Sequence, residues 1–315
     1  MIEQFKKDVV EGLGQKPKSI PSKYFYDALG DALFIKIMNM PEYYPTRAEL
    51  EIFKEKSVEI IKALSMKKDV FFELIELGAG DGTKTKYLLQ SLLQEGYDFS
   101  YLPIDISATA LNDLEAKLGC EFPQLDVRKK HGDYFNVLET LKTNNHPKVI
   151  LFLGSNIGNL TDENSTKFIY QIGANLKPYD KLILGVDLIK SEDLVRPAYD
   201  DPHGITKEFN LNLLRRINKE LGGHFDISAF DHAPEYYMHE GIARSYLVSN
   251  RAQEIRIESL DRSFSFEKGE RIQTEISRKY DDKIMKKILN ETDFKIVAKL
   301  TDKNRYFADY VLSRS

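Results

Sequence analysis

Apolar residues change their spacing several times along this chain, and each change marks an element. Phe71 to Leu77, FFELIEL, is a nearly unbroken apolar run of strand length, and it predicts a buried strand over 70–77. The glycine turn GAGDG follows, and apolar positions at helical spacing then predict a helix over 83–94. A helix over Val58 to Leu64 precedes this unit, and after it come strand 100–106, helix 108–118, a short third strand before HGDYF, strand Val149 to Leu153, helix 162–176 and strand Lys181 to Asp187. Strand and helix alternate as a parallel sheet requires.

After Asp187 the pattern changes in kind. AYDDPHGIT reads as a loop and Glu208 to Leu221 as an amphipathic helix, whereas RSYLVSN, AQEIRIESL and SFSFEKGERIQTEISRKY alternate like antiparallel strands with one wet face. A helix over Asp281 to Asn290 and two strands, Phe294 to Leu300 and Phe307 to Leu312, are expected to return to the first sheet. The fold class is therefore α/β, a mostly parallel seven-stranded sheet with a second α+β domain built from the N-terminus and an insertion. The expected boundaries are 1–55 and 190–279 for the second domain, and 56–189 and 280–315 for the sheet domain.

Composition narrows the partners. The 315 residues are 42% hydrophobic, enough for one large core or two modest ones, and 45 basic against 49 acidic residues leave a net charge of −4. No basic stripe interleaved with aromatics suggests nucleic acid, so the partner is expected to be a small molecule. Cys120 is the single cysteine, which excludes an intrachain disulfide and a multi-cysteine metal site and fits a reducing cytoplasm. No metal is expected, because the six histidines lack HxxxH or HxH spacing. Neither an export signal nor a membrane span is expected, and the chain is read as a cytoplasmic monomer.

The candidate chemistry starts at the glycine turn. Gly78 and Gly80 lack Cβ atoms, so the backbone can turn sharply and approach a ligand closely. Asp105, ending the strand YLPIDI, is placed to accept ribose hydroxyls, while Asp133 and Tyr134 in HGDYF offer an acceptor for an adenine amino group and a ring to cover its face. Together these read as a site for S-adenosylmethionine. A dinucleotide oxidoreductase would explain the glycine turn and nothing else, and two solvated acids beside a turn are the bland alternative.

Several segments in consistent order resemble the histidine Nα-methyltransferases of ergothioneine biosynthesis. They are PKSIPSKYFYDALGDALF, MPEYYPTRAELEIF, ELGAGDGTKT, PIDIS, FLGSNIGNL, AYDDPHGITKEFNLNLLRRINKELGG and KGERIQTEISRKY. The resemblance implies a class I, Rossmann-like methyltransferase domain with a substrate-binding domain. It implies that Gly78, Gly80, Lys84, Asp105, Asp133 and Tyr134 hold S-adenosylmethionine. Asn159 and Tyr199, with Gly154 alongside, match positions that grip the substrate carboxylate; Tyr26, Phe34 and Tyr43 match those around the amine, and Glu275 and Ser277 match the pair that recognises imidazole. Tyr26 and Tyr43 are the candidate catalytic residues, orienting the amine lone pair without either being assigned as a formal base.

Each residue also has an ordinary reading. Lys84 in a first helical turn is commonly solvated, Asn159 in IGNLTDE is a common helix cap, and Tyr43 lies between prolines where aromatics often pack a turn. Neutral donors at Asn159 and Tyr199 would avoid a second cation beside a sulfonium. Family members that select histidine commonly carry Met at about the place of Ser245, so the side chain bound beside Glu275 stays open. The implied activity is trimethylation of L-histidine to hercynine; the alternatives are methylation of another aromatic amine, such as a tryptophan derivative, and a non-catalytic binding module.

Overall fold

The computed structural model describes residues 2–142 and 144–315, which divide into two compact units. One unit comprises Pro45–Leu188 and Tyr280–Ser315; the other comprises Met1–Tyr44 and Ile189–Lys279.

The first of these is built on an eight-stranded sheet. Its central strand, Phe72–Leu77, lies parallel between Phe99–Asp105 and Lys148–Phe152, and Lys181–Asp187 extends the parallel run. Phe307–Arg314 then pairs antiparallel with Lys181–Asp187, and Phe294–Thr301 forms the edge. The strand expected before HGDYF consists of two two-residue pieces, Asp126–Val127 and Lys130–His131, both paired with Phe99–Asp105. Every residue of Phe72–Leu77, Lys148–Phe152 and Lys181–Asp187 is buried, as strands covered on both faces require. Leu74, Leu151 and Ile183 pack on one face with Ile52, Phe53, Leu88 and Leu92; Ile75, Ile150 and Leu182 pack on the other with Ile169, Ile172 and Met285.

The helix expected from Val58 starts much earlier, at Tyr44, and runs to Leu64. Pro45 suits a first helical turn, where its missing N–H costs nothing. Because Ala48, Ile52 and Phe53 of this helix belong to the sheet core, residues 45–55 pack with the sheet unit and not with the N-terminal segment to which the sequence reading gave them.

In the other unit the N-terminal segment and the insertion share a four-stranded sheet. Its order is Lys18–Ser19, Arg271–Arg278, Ile242–Ser249, Phe230–Tyr237; the first pairing is parallel and the others antiparallel. Helices Ile2–Gly14, Ala28–Met38 and Ile205–Leu221 accompany it, and Phe5, Val9, Phe209, Leu213, Ile217, Leu247 and Ile272 share one core. The hairpin Gln253–Ile257 with Arg262–Phe266 adds Ile255, Phe264 and Phe266 to that core. Strand Phe230–Tyr237 escapes the pattern reading because Pro234 interrupts it, which an edge strand tolerates. Among the described residues, no helix is long and apolar enough to cross a membrane.

Gly185 marks the tightest packing of the sheet unit. A Cβ there would lie 2.2 Å from Glu49 Oε1 and 3.0 Å from Asp309 Oδ1. Gly119, in helix Ala108–Glu121, instead faces open space. Gly185→Ala is expected to destabilise the protein by about 1–3 kcal/mol, and Gly119→Ala to stabilise it by about 0.5–1 kcal/mol. Thermal denaturation of the two variants checks the opposite signs.

Candidate active site

At the carboxyl end of Phe72–Leu77 the chain enters the left-handed region three times, at Gly78 (φ 74°), Gly80 (φ 54°) and Gly82 (φ 64°). A Cβ on Gly78 would lie 2.7 Å from Tyr134 Oη, whereas one on Gly80 would meet no atom within 4 Å. Gly80 N–H donates to Asp105 Oδ2 at 3.2 Å, and Asp105 Oδ1 accepts from Ser107 N–H at 2.9 Å. Asp133 caps helix Tyr134–Leu141 through Oδ1, which accepts from Phe135 N–H at 3.0 Å and Asn136 N–H at 3.3 Å. Burial, then Asp105 and Asp133, push the Tyr134 phenol up to about 12, so it remains a donor at working pH. Open space over Gly80, bordered by carboxylates and a phenol, suits a nucleoside with ribose hydroxyls and an amino-bearing base. These residues therefore fit S-adenosylmethionine.

Lys84 lies next to this turn but points its charge at an acid. Its ammonium is paired with Glu49, a wholly buried carboxylate on helix Tyr44–Leu64 that also accepts Gly154 N–H at 2.8 and 3.0 Å. Burial pulls the Lys84 pKa down, but Glu49, Glu76 and Asp309 together carry it above the usual lysine value. Glu76 accepts from Thr85 Oγ1 at 2.8 Å and from Tyr101 Oη, and burial raises it to about 7. Asp309 is wholly buried with no hydrogen bond to either oxygen; burial, followed by the charge of Glu49, raises its pKa well above the carboxylate range. In this unit Gly154 has φ 75°, and a Cβ there would lie 3.7 Å from Lys84 Nζ. Asn159 ends the short helix Asn156–Asn159 and caps nothing: Thr161 caps Asp162–Gly173, accepting Asn164 N–H at 3.3 Å.

The second unit gathers the remaining candidates into two groups. Tyr26 and Phe34 meet edge to face at 5.6 Å, Phe34 and Tyr43 at 6.2 Å, and Phe209 lies 5.8 Å from both Tyr26 and Phe34. The other group depends on a bulge. Along Arg271–Arg278, Gln273 pairs with Tyr246 and Glu275 with Ser245, so Thr274 is an extra residue. The buried face switches there from Ile272 and Thr274 to Ser277 and Lys279. Thr274 Oγ1 lies 2.6 Å from Asn210 Oδ1 and 3.0 Å from the Ser245 carbonyl, which holds the bulge to helix Ile205–Leu221.

Beyond the bulge, Ser245 Oγ donates to Glu275 Oε2 at 3.2 Å. Burial raises Glu275 to about 6, against the opposing influences of Lys279 and the Ser245 bond. Tyr199 Oη donates to Ser277 Oγ at 2.7 Å, and Lys279 Nζ donates to Tyr199 Oη at 2.6 Å and to Ser277 Oγ at 2.8 Å. The neutral surroundings expected at Tyr199 are thus replaced by a buried ammonium. Sequence reasoning missed Lys279, although it continues the alternation of Glu275 and Ser277; it also missed Phe209, and Glu49 as a charge on an apolar helix face.

The sequence profile of the family described as "Histidine-specific methyltransferase, SAM-dependent" matches residues 5–314. The chain belongs to this family. It is 37% identical to a histidine N-alpha-methyltransferase of Mycolicibacterium smegmatis over 278 residues, 88% of this chain and 85% of the relative. An ergothioneine biosynthesis protein 1 of Schizosaccharomyces pombe is 29% identical over 302 residues, 94% of this chain and 39% of that protein. A 4-dimethylallyltryptophan N-methyltransferase of Claviceps fusiformis is 24% identical over 298 residues, 87% of this chain and 82% of the relative.

For this S-adenosylmethionine-dependent methyltransferase, two titrations follow from the geometry. Asp309 keeps its proton in the folded state at pH values where the unfolded chain has lost it, so stability falls as pH rises through that window. Asp309→Asn is expected to flatten the fall of melting temperature as pH rises above the ordinary carboxylate range. Depressed carboxylates do not mask this effect, because their contribution is lost only at lower pH. Removal of the Ser245 donor by Ser245→Ala is expected to raise the Glu275 titration above about 6, as followed by NMR of carboxyl-labelled glutamate.

Proposed function

We propose that this methyltransferase acts on the α-amino group of L-histidine, three times in succession, to give hercynine, the betaine used for ergothioneine. The observation that carries the reading is the pairing of Glu275 with Ser245 across the Thr274 bulge, with Ser277 two residues further on and bonded to Tyr199. Ser245 answers only Oε2 of the half-buried Glu275 carboxylate, and an imidazole supplies an N–H to its other oxygen and a second nitrogen to Ser277. An indole supplies only one of these. The names of the bacterial and fungal relatives support the same substrate and pathway.

When bound, S-adenosylmethionine supplies a methyl group activated by a sulfonium. Gly78, Gly80, Asp105, Asp133 and Tyr134 are the residues assigned to hold it, with Lys84 fixed by Glu49 at the start of helix Thr85–Gln94. The amine attacks as a neutral lone pair, so it must lose a proton and be aligned. Tyr26 and Tyr43 are assigned to orient it, within the aromatic group that includes Phe34 and Phe209. Ring faces favour a methylated ammonium by about 0.5–2 kcal/mol each, which helps retain partly methylated product for another round. Asn159, Gly154 and Tyr199 keep the carboxylate role that the resemblance gives them. The reading includes a small-molecule partner, supported by the near balance of 45 basic and 49 acidic residues, a cytoplasmic location, supported by the single cysteine, and a monomeric chain.

Ser245 favours a second reading, another aromatic amino acid as substrate, because it stands about where histidine-selective members commonly carry Met. Mass spectrometry of the protein with S-adenosylmethionine and each amino acid separates the two. Histidine alone is expected to gain one, two and three methyl groups, and Glu275→Ala to lose at least about tenfold in kcat/KM for histidine. Gain on a different amino acid would transfer the assignment to it.

A further inference from the structure

Three buried polar groups make a closed triangle in the unit that holds Glu275. Lys279 is 1% exposed, Ser277 7% and Tyr199 9%. Lys279 follows the strand Arg271–Arg278, and its N–H bonds to the Gly241 carbonyl at 2.7 Å, so the alternation of Glu275, Ser277 and Lys279 runs on beyond the last strand residue. The ammonium also lies 4.9 Å from the centre of the Tyr199 ring. A buried ammonium persists only where its protons find acceptors. Here two of them go to hydroxyl oxygens that the proposed function assigns to substrate.

The hydrogen-bond count then decides what Ser277 can do. A serine hydroxyl has one proton and two lone pairs. Ser277 Oγ accepts from both Tyr199 and Lys279, which fills both lone pairs and leaves its proton to be donated. Should Tyr199 turn its proton to a ligand carboxylate, the ammonium still polarises Ser277 as a donor and still repels a second positively polarised N–H at that point. Glu275, accepting from Ser245 on Oε2, has the opposite polarity.

We propose that Lys279 is a positioning residue that fixes Ser277 as a donor, so that the site selects a ring with one N–H and one unprotonated nitrogen. The inference rests on the histidine reading above and deepens it. It identifies the bound form as neutral imidazole in a single tautomer, its N–H on Glu275 and its bare nitrogen on Ser277. Imidazolium, with two N–H groups, and pyrrole or indole, with no bare nitrogen, are disfavoured by the same hydroxyl.

The test compares L-histidine with β-(pyrrol-3-yl)alanine, which keeps an N–H but lacks the second ring nitrogen. Calorimetric titration into the full chain loaded with S-adenosylhomocysteine gives the affinity ratio of the two. The wild type is expected to favour histidine by about tenfold or more, and Lys279→Met to reduce that ratio to about threefold or less by weakening histidine selectively. Ser277→Ala, which leaves Lys279 in place and removes only a hydroxyl, is expected to abolish the ratio, and the double variant to add nothing further. An unchanged ratio in Ser277→Ala, or equal weakening of both ligands in Lys279→Met, overturns the inference while the histidine reading stands. Absence of histidine binding by the wild type overturns both.

Discussion

A charge taken out of water must be answered by another group, and each unit is organised around such an answer. In the sheet unit, Glu49 is wholly buried on the face of helix Tyr44–Leu64 that also carries Ile52 and Phe53. Its partners are the Lys84 ammonium and the Gly154 N–H, so one carboxylate connects the helix after the glycine turn to the GSNIGN loop. Asp309 cannot be answered in the same way: one lysine stands among Glu49, Glu76 and Asp309, and like charges at close quarters cannot all be ionised. Asp309 therefore takes up a proton. Gly185 follows from the same constraint, because any side chain there would displace the carboxylates that the arrangement needs.

In the other unit the same constraint acts on Glu275, which the histidine reading assigns to recognition. Glu275 lies in surroundings that disfavour its charge, and Ser245 and Lys279 oppose that tendency without neutralising it. The carboxylate is thereby left at about 6, near the range in which an imidazole titrates. All of this depends on one extra residue. Without Thr274 as a bulge, a regular alternation would carry Ile272 and Thr274 through to Ile276 on the buried face, and Glu275, Ser277 and Lys279 would face away from Ser245.

How much of this was legible in the sequence varies with the kind of signal. The parallel strands Phe72–Leu77, Lys148–Phe152 and Lys181–Asp187 were legible because burial on both faces leaves an unbroken apolar run. The turn after the first of them, Asp105 and the HGDYF segment were legible because close backbone approach and strand-end acids leave residue-type signatures. The start of helix Tyr44–Leu64 was not, since a buried Glu49 breaks its apolar stripe. Strand Phe230–Tyr237 was hidden by Pro234, and nothing in the pattern of Ile205–Leu221 marks its core residue Phe209 as the ring that meets both Tyr26 and Phe34. A bulge leaves no mark in a pattern of apolar and polar residues, so the turning of Glu275, Ser277 and Lys279 onto the face of Ile272 and Ser245 required the register.

Ser245 shows how a departure from a family pattern is interpreted once the register is known. A thioether beside Glu275 would pack against the carboxylate and offer it nothing to accept, deepening the desolvation that already raises its pKa. The hydroxyl donates to Oε2, which orients the carboxylate and favours its charged form. Because Ser245 is itself fully buried and directly opposite Glu275, this donor occupies one oxygen and leaves Oε1 as the acceptor available to a ring N–H. Substitution by serine therefore exchanges packing for polarity while preserving the acceptor that an imidazole requires. On the histidine reading, a substrate whose side chain lacks an N–H would leave Oε1 unmatched with either residue opposite it, while the smaller serine makes room for a larger ring.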